Sequence, residues 1–120
     1  QGVTWQGRMY GLPWDTHGGL WHVNMALFEK AGLVRGGKPV LPTSPEELLG
    51  HGRQFRERTG KPYLIQSLVG DPAGAARNMY TYMLAQGAPI FPDAKHMQTN
   101  TAEGRRVADL FRQITAEGLG

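Results

Sequence analysis

The run Thr43-Ser44-Pro45-Glu46-Glu47 constrains this chain more than any other stretch, because three separate signals for a helix start coincide in it. Ser44 is placed to cap, Pro45 suits a first helical position where no N–H is needed, and Glu47, three residues past the cap, closes a capping box. The spacing predicts a helix running to about Arg58 and burying Leu48, Leu49, Gly52 and Phe55. Thr59-Gly60 ends it.

The remaining elements follow from similar punctuation. Residues 1–8 contain Val3, Trp5 and two glycines without helical period, and read as a loop or a fraying lead-in. Residues 9–13 and 20–23 read as two short extended runs, joined by a polar crossover with Pro13 and Gly18-Gly19. Asn24 caps a short helix over 25–31, with Leu27, Phe28 and Ala31 on one face and Gly32 as its stop. Residues 35–39 are then a turn. Residues 61–69 read as a strand, and Gly70-Asp71-Pro72 turns it into a helix that runs to about Gln86 and stops at Gly87. That helix carries Ala73, Ala76, Met79, Tyr80, Met83 and Leu84 near helical spacing, while Tyr80 and Tyr82 fall on different faces. Residues 88–100 read as irregular. Asn100 or Thr101 caps a last helix with Val107, Leu110, Phe111 and Ile114 at i, i+3, i+4 and i+7. The order strand, strand, helix, helix, strand, helix, loop, helix predicts an α/β fold, a small sheet flanked by helices.

The 120 residues suffice for a single core but not for two lobes around a cleft. Apolar residues make up 40% and charged ones 19%, and no apolar run reaches the roughly 20 residues of a membrane span. The absence of cysteine excludes disulfides, thiolate metal sites and cysteine nucleophiles, and leaves the compartment open. The chain begins with Gln1 and carries no basic-plus-apolar leader, so it reads as a fragment or a processed form. The net charge of +3 concentrates at Arg53, Arg56 and Arg58, late in the predicted helix, where positive charge complements the dipole. A solvated helix end explains them, and nucleic-acid binding would want a basic stripe interleaved with aromatics.

Candidate chemistry narrows quickly. Asp15 and Asp71 are the acids predicted at strand ends and could converge on one rim, but a hydrogen-bonding clamp or a helix cap explains such a pair without catalysis. His17, His22, His51 and His96 show no ligand spacing, so no metal is expected. No phosphate loop, dinucleotide fingerprint or nucleophile elbow is present, so no cofactor and no enzymatic activity are expected. Trp14, Asp15, Thr16 and His17 bunch at the crossover, and Asp71 with Ala73 opens the following helix. Aromatic faces beside polar tips on loops suit sugars, whose C–H faces stack and whose hydroxyl edges hydrogen-bond. Trp14 reads equally as a core or hinge-packing tryptophan, and Asp71 as a simple N-cap. Trp21 and His22, on a strand, read as structural.

The Tyr-Gly-Leu-Pro-Trp-Asp-Thr run at 10–16, the Leu-Trp-His-Val-Asn strand at 20–24 and the Leu-Phe-Glu-Lys-Ala-Gly-Leu helix at 27–33 resemble the extracellular solute-binding proteins of carbohydrate ABC importers, the maltose-binding-like group. The resemblance continues through Pro-Glu-Glu-Leu-Leu at 45–49, Gly-Lys-Pro-Tyr at 60–63, Met-Leu-Ala-Gln-Gly at 83–87 and Thr-Ala-Glu-Gly at 101–104. The family's strand usually ends Tyr-Asn-Lys where this chain has Val23-Asn24-Met25, and its Thr-Trp is replaced by Ser44-Pro45.

The resemblance implies part of a lobe of the periplasmic-binding-protein type II fold, with residues 1–17 as lead-in and hinge-crossing strand and 18–120 as part of the C-terminal lobe. It implies a sugar or oligosaccharide captured between two lobes and delivered to the membrane permease subunits of the importer. The setting would be periplasmic or that of a cell-surface lipoprotein. This chain would hold half of the sugar site, through Trp14, Asp15, Thr16, His17, Asp71 and Ala73. Its partners would be the carbohydrate, the permease and the missing lobe of the same protein, with no nucleic acid, and the fragment alone could pair into a dimer. The rival reading, from the residues alone, is a free-standing structural or interaction module without a ligand.

Overall fold

The second helix organises the molecule, and the capping chemistry read from its sequence is realised in the computed structural model. The model describes residues 3–12, 20–64, 72–93 and 95–120. Helix α2 (Pro45–Thr59) starts where Ser44 Oγ accepts from the Glu47 N–H at 3.1 Å. The Glu47 carboxylate reaches back to Thr43, taking its N–H at 2.7 Å and its hydroxyl at 2.8 Å, one residue earlier than a standard capping box. Those two bonds hold the Glu47 carboxyl below its ordinary pKa, the backbone bond first. Leu48, Leu49, Gly52 and Phe55 are buried, as the spacing predicts.

Helix α1 (Met25–Ala31) is capped by Asn24, whose side chain accepts from the Leu27 N–H, and ends at Gly32 in the left-handed region. Helix α3 (Pro72–Ala85) ends before Gly87, also left-handed, and α4 (Ala102–Ala116) is capped by Thr101. Four helices of the described residues thus match the four predicted.

The extended segments differ more. Residues 3–10 form a hairpin where a loop is predicted: β1 (Thr4–Trp5) pairs antiparallel with β2 (Arg8–Met9), and Tyr10 N–H donates to Val3 O. Gln6 and Gly7, both with positive φ, make the turn, in the backbone sense that matches strand twist. The predicted turn at 35–39 is likewise the centre of a hairpin, β3 (Val34–Arg35) with β4 (Lys38–Pro39). The expected extended runs at 20–23 and 61–64 join no ladder. Trp21 packs against Tyr63 instead, and Leu64 N–H is taken by Leu119 O at 2.8 Å, so the C-terminal tail replaces a neighbouring strand. The described residues therefore form a small mixed helix and strand domain with two two-stranded sheets, not one sheet flanked by helices. Residues 65–69 of the third predicted strand lie outside the described residues.

Packing is divided among three small clusters. Phe28, Ala31, Leu33, Phe55 and Tyr63 join α1 to α2, with ring centroids 5.5–5.7 Å apart among the three aromatics. Leu48, Leu49, Leu110, Ile114 and Leu119 join α2 to α4. Met83, Ala88, Ile90 and Val107 join α3 to α4. Leu64 bridges the first two clusters and Phe111 the last two. The Cα radius of gyration is 17.5 Å, against about 14 Å for a compact domain of this length. Large apolar side chains stay exposed accordingly, Trp5, Tyr10, Leu12 and Leu20 on the N-terminal side and Leu84 and Phe91 around α3.

The arginines of α2 are ties between elements rather than a solvated end. Arg53 forms a two-pronged pair with Glu117, at 2.6 and 2.7 Å. Arg56 donates to the carbonyls of Glu117 and Gly118, and Gln54 and Arg58 both donate to Ala31 O at the end of α1. Carbonyls left over at two helix ends are thereby satisfied. Gly118, at φ 61°, has no room for a Cβ, because the Arg56 guanidinium occupies that space.

Three substitutions test this arrangement. Gly118→Ala loses the left-handed turn at a cost of about 1–2 kcal/mol and also evicts Arg56. Gly50→Ala on the open face of α2, where an added Cβ meets nothing, gains up to about 1 kcal/mol of helix propensity. Thermal unfolding should show a lowered midpoint for the first and a raised one for the second. The Arg53 bond, followed by its charge, holds the Glu117 carboxyl below its ordinary value. A depressed carboxyl contributes stability above its unfolded pKa and loses it as pH falls through the folded one. The advantage of the native protein over Glu117→Gln should therefore be present at neutral pH and vanish in acid denaturation profiles below the carboxylate range.

Candidate functional site

Trp14, Asp15, Thr16, His17 and Asp71 lie outside the described residues, and so does the proposed convergence of Asp15 with Asp71. Ala73, the second residue of α3, is exposed and lies apart from the groove described below. Of the histidines, His22 is exposed, and His96 sits in the loop after α3 with its Nδ1 against Asp93 at 2.7 Å. That bond, with the Lys95 N–H, depresses the Asp93 carboxyl. Among the described residues no group of three or more His, Asp or Glu is arranged to hold a metal ion.

The structure instead presents a groove of about 470 Å³ where α2 begins, α3 ends and α4 passes between them. Its floor is apolar because the helix faces that build the second and third clusters do not quite close on one another: Leu48 and Leu49 come from α2, Val107 and Leu110 from α4. Tyr82 forms the α3 wall, held by a T-shaped contact to Phe111 at 5.8 Å. Burial keeps its phenol protonated above the ordinary tyrosine range. Trp21 closes the open side. Its T-shaped contact with Tyr63, at 6.3 Å, anchors it, and 45% of its surface stays exposed.

Polar groups rim this floor in two states. Arg106 is committed, with Nε donating to Gln86 Oε1 at 2.8 Å and Nη2 to Glu103 at 2.9 Å. Thr43 and Ser44 are committed to Glu47. Glu46 and the Gln113 amide have no hydrogen bond among the described residues, and Asp109 has only a long 3.4 Å contact to Arg112. An apolar floor, two anchored aromatics and uncommitted carboxylate and amide groups can hold a hydroxyl-bearing molecule reversibly. Of the polar and aromatic groups here, the sequence noted Tyr82 only as lying on a different face from Tyr80. Trp21 was assigned a structural role on a strand. Their only sequence signal is their presence, since 21, 46, 82 and 113 share no local spacing.

Behind Trp21 lies a second polar feature. Among the described residues the Tyr63 hydroxyl and His51 Nδ1 are buried with no hydrogen-bond partner, and their rings meet edge-on at 6.4 Å. Burial pushes the Tyr63 phenol up to about 12. A raised tyrosine pKa leaves stability unaffected below the unfolded value near 10 and lowers it as pH climbs from there towards the folded one. Alkaline unfolding should thus weaken the protein from about pH 10 upward. Tyr63→Phe should reduce that dependence, leaving the part due to Tyr82, and raise stability at neutral pH by about 1 kcal/mol, the scale of an unsatisfied buried hydroxyl. Unfolding curves at several pH values measure both.

No protein-family model, no curated protein and no solved structure matches this chain.

Proposed function

We propose that this chain is part of the substrate-binding component of a carbohydrate ABC importer. It captures a sugar between two lobes and presents it to the membrane permease, with no chemistry of its own. The observation that carries this reading is the order of the segments that resemble the solute-binding family, together with their capping. The Phe-Glu-Lys-Ala segment is α1 between Asn24 and Gly32, and Pro-Glu-Glu-Leu-Leu opens α2 behind Ser44. Met-Leu-Ala-Gln-Gly ends α3, and Thr-Ala-Glu-Gly opens α4 with Thr101 as its cap. Asn24, Gly32 and Thr101 lie within the resembling segments and mark element ends, whereas Ser44 stands where the chain departs from the family's pattern.

The exposed apolar surface and the long radius of gyration support a role as part of a lobe of the type II binding-protein fold, with another lobe as partner. In this reading Trp14, Asp15, Thr16, His17 and the Asp71 turn with Ala73 supply half of a sugar site. Closure of two lobes about a hinge supplies the rest. The protein works outside the cytoplasm, in a periplasm or tethered to a cell surface. The same exposed side chains, Trp5, Tyr10, Leu12 and Leu20 above all, favour a second reading as a protein-interaction module.

A sugar panel tested against the chain by saturation-transfer NMR separates the two readings. The importer reading expects weak binding of at least one sugar, lost in Trp14→Ala and Asp15→Asn, because affinity in such sites comes from enclosure. Binding as tight as that of an enclosed site would overturn the half-site, and no binding by any sugar, with concentration-dependent dimers in size exclusion, would favour the interaction module.

A further inference from the structure

The groove where α2 begins, α3 ends and α4 passes between them joins two aromatic side chains to carboxylates that lack a strong cationic partner. We infer that it is a binding site for a small organic cation, an ammonium group carried on an aromatic or aliphatic body. The inference goes beyond the sugar reading and does not depend on it, because none of the residues it uses belongs to the proposed sugar site.

Charge decides the sign of the ligand. The ionisable side chains that line the groove, among the described residues, are Glu46, Tyr82, Arg106 and Asp109. Arg106 is spent: Nε donates to Gln86 Oε1 at 2.8 Å, and Nη2 donates to the Glu103 carboxylate at 2.9 Å, which offsets its charge. The Tyr82 phenol stays neutral, since burial raises its pKa. Glu46 has no hydrogen bond or ion pair among the described residues. Asp109 has only an exposed 3.4 Å contact to Arg112, a pairing too weak to compete strongly with a ligand. The free charge of the rim is therefore negative, although the chain as a whole carries +3. Surface charges interact over about 8 Å at physiological salt, so the rim rather than the net charge sets the sign of the ligand. An anion would meet Glu46 and Asp109 with no free cation to offset them.

The aromatic and apolar surfaces decide the rest of the ligand. Trp21 is held by Tyr63 yet keeps 45% of its surface free, and Tyr82 is held by Phe111 with ring centroids 5.8 Å apart. The faces of such rings carry partial negative charge and attract an ammonium. Rings already fixed by a neighbour lose little freedom when a ligand settles on them. The apolar floor from α2 and α4 takes the hydrocarbon part. A volume of about 470 Å³ falls inside the range of about 300–1,000 Å³ usual for small-molecule sites. A bare metal ion fits poorly, because among the described residues no three His, Asp or Glu converge to hold one.

The test uses three probes with one skeleton and different charge: tyramine, which is cationic at neutral pH, neutral tyrosol and anionic 4-hydroxyphenylacetate. Each is titrated into the isotopically labelled chain, and NMR shifts of the Trp21 indole N–H report occupancy of the groove. Tyramine should move that signal and bind about 5- to 30-fold more tightly than tyrosol, the combined scale of exposed ion pairs and a cation–π contact. The anion should bind more weakly than tyrosol. Raising the salt to about 1 M, where screening acts over about 3 Å, should close most of the gap between tyramine and tyrosol. Glu46→Gln combined with Asp109→Asn should bring tyramine close to tyrosol. Tyrosol binding should persist in that double variant, which also shows that it folds. Tyramine that binds no tighter than tyrosol, or binds with the Trp21 signal unmoved, overturns the site. So does a preference that survives both high salt and the double variant, and so does silence towards all three probes. Each of these failures leaves the sugar reading standing.

Discussion

The structure depends on carbonyl groups at two helix ends being satisfied by side chains of a third helix. An α-helix leaves its last C=O groups without partners, and here α1 and α4 both end against the second half of α2. Gln54 and Arg58 take the Ala31 carbonyl, Arg56 takes those of Glu117 and Gly118, and Arg53 grips the Glu117 carboxylate with two bonds. Each of these contacts is exposed or half-buried and contributes little alone. Together they tie the ends of α1 and α4 to α2, alongside the apolar clusters packed between these helices.

The groove is a consequence of that arrangement. α4 is tied to α2 at its C-terminal end, its middle packs on Leu48 and Leu49 at the start of α2 through Leu110, and α3 packs on the other side of α4 through Met83 and Val107. Leu48, Leu49 and Leu110 are shared between packing and lining, so the floor is rigid where it is apolar. The committed Arg106 and the uncommitted Glu46 and Gln113 differ only in whether a neighbouring turn happens to offer a partner. That difference sets the polarity of the rim, and through it the class of molecule the groove can hold.

Local chemistry was legible residue by residue. Asn24, Ser44 and Thr101 cap, Gly32, Gly60 and Gly87 stop, and the buried set of α2 agrees with its 3.6-residue period. Strand pairing was much less legible. The aliphatic and aromatic runs at 20–23 and 61–64 have strand composition, but a ladder needs a neighbour, and Trp21 and Leu64 found a ring and a tail instead. The hairpin at 3–10 was missed because Gln6 occupies a positive-φ position usually given to Asn, Asp or Gly. The arginines of α2 were read as solvated because their partners, Ala31, Glu117 and Gly118, lie 23 to 64 residues away in the chain.

The sequence by itself determined the four helices, their ends and their apolar faces, because caps, left-handed glycines and helical spacing act over four residues or fewer and need no partner from elsewhere. Only the tertiary structure decided which helices touch, that the runs at 20–23 and 61–64 join no ladder, and that Trp21, Glu46, Tyr82 and Gln113 surround one groove. Contacts at long separation carry the entropy of closing the loops between them, and whether they form depends on the whole arrangement of the chain. No local rule encodes that arrangement.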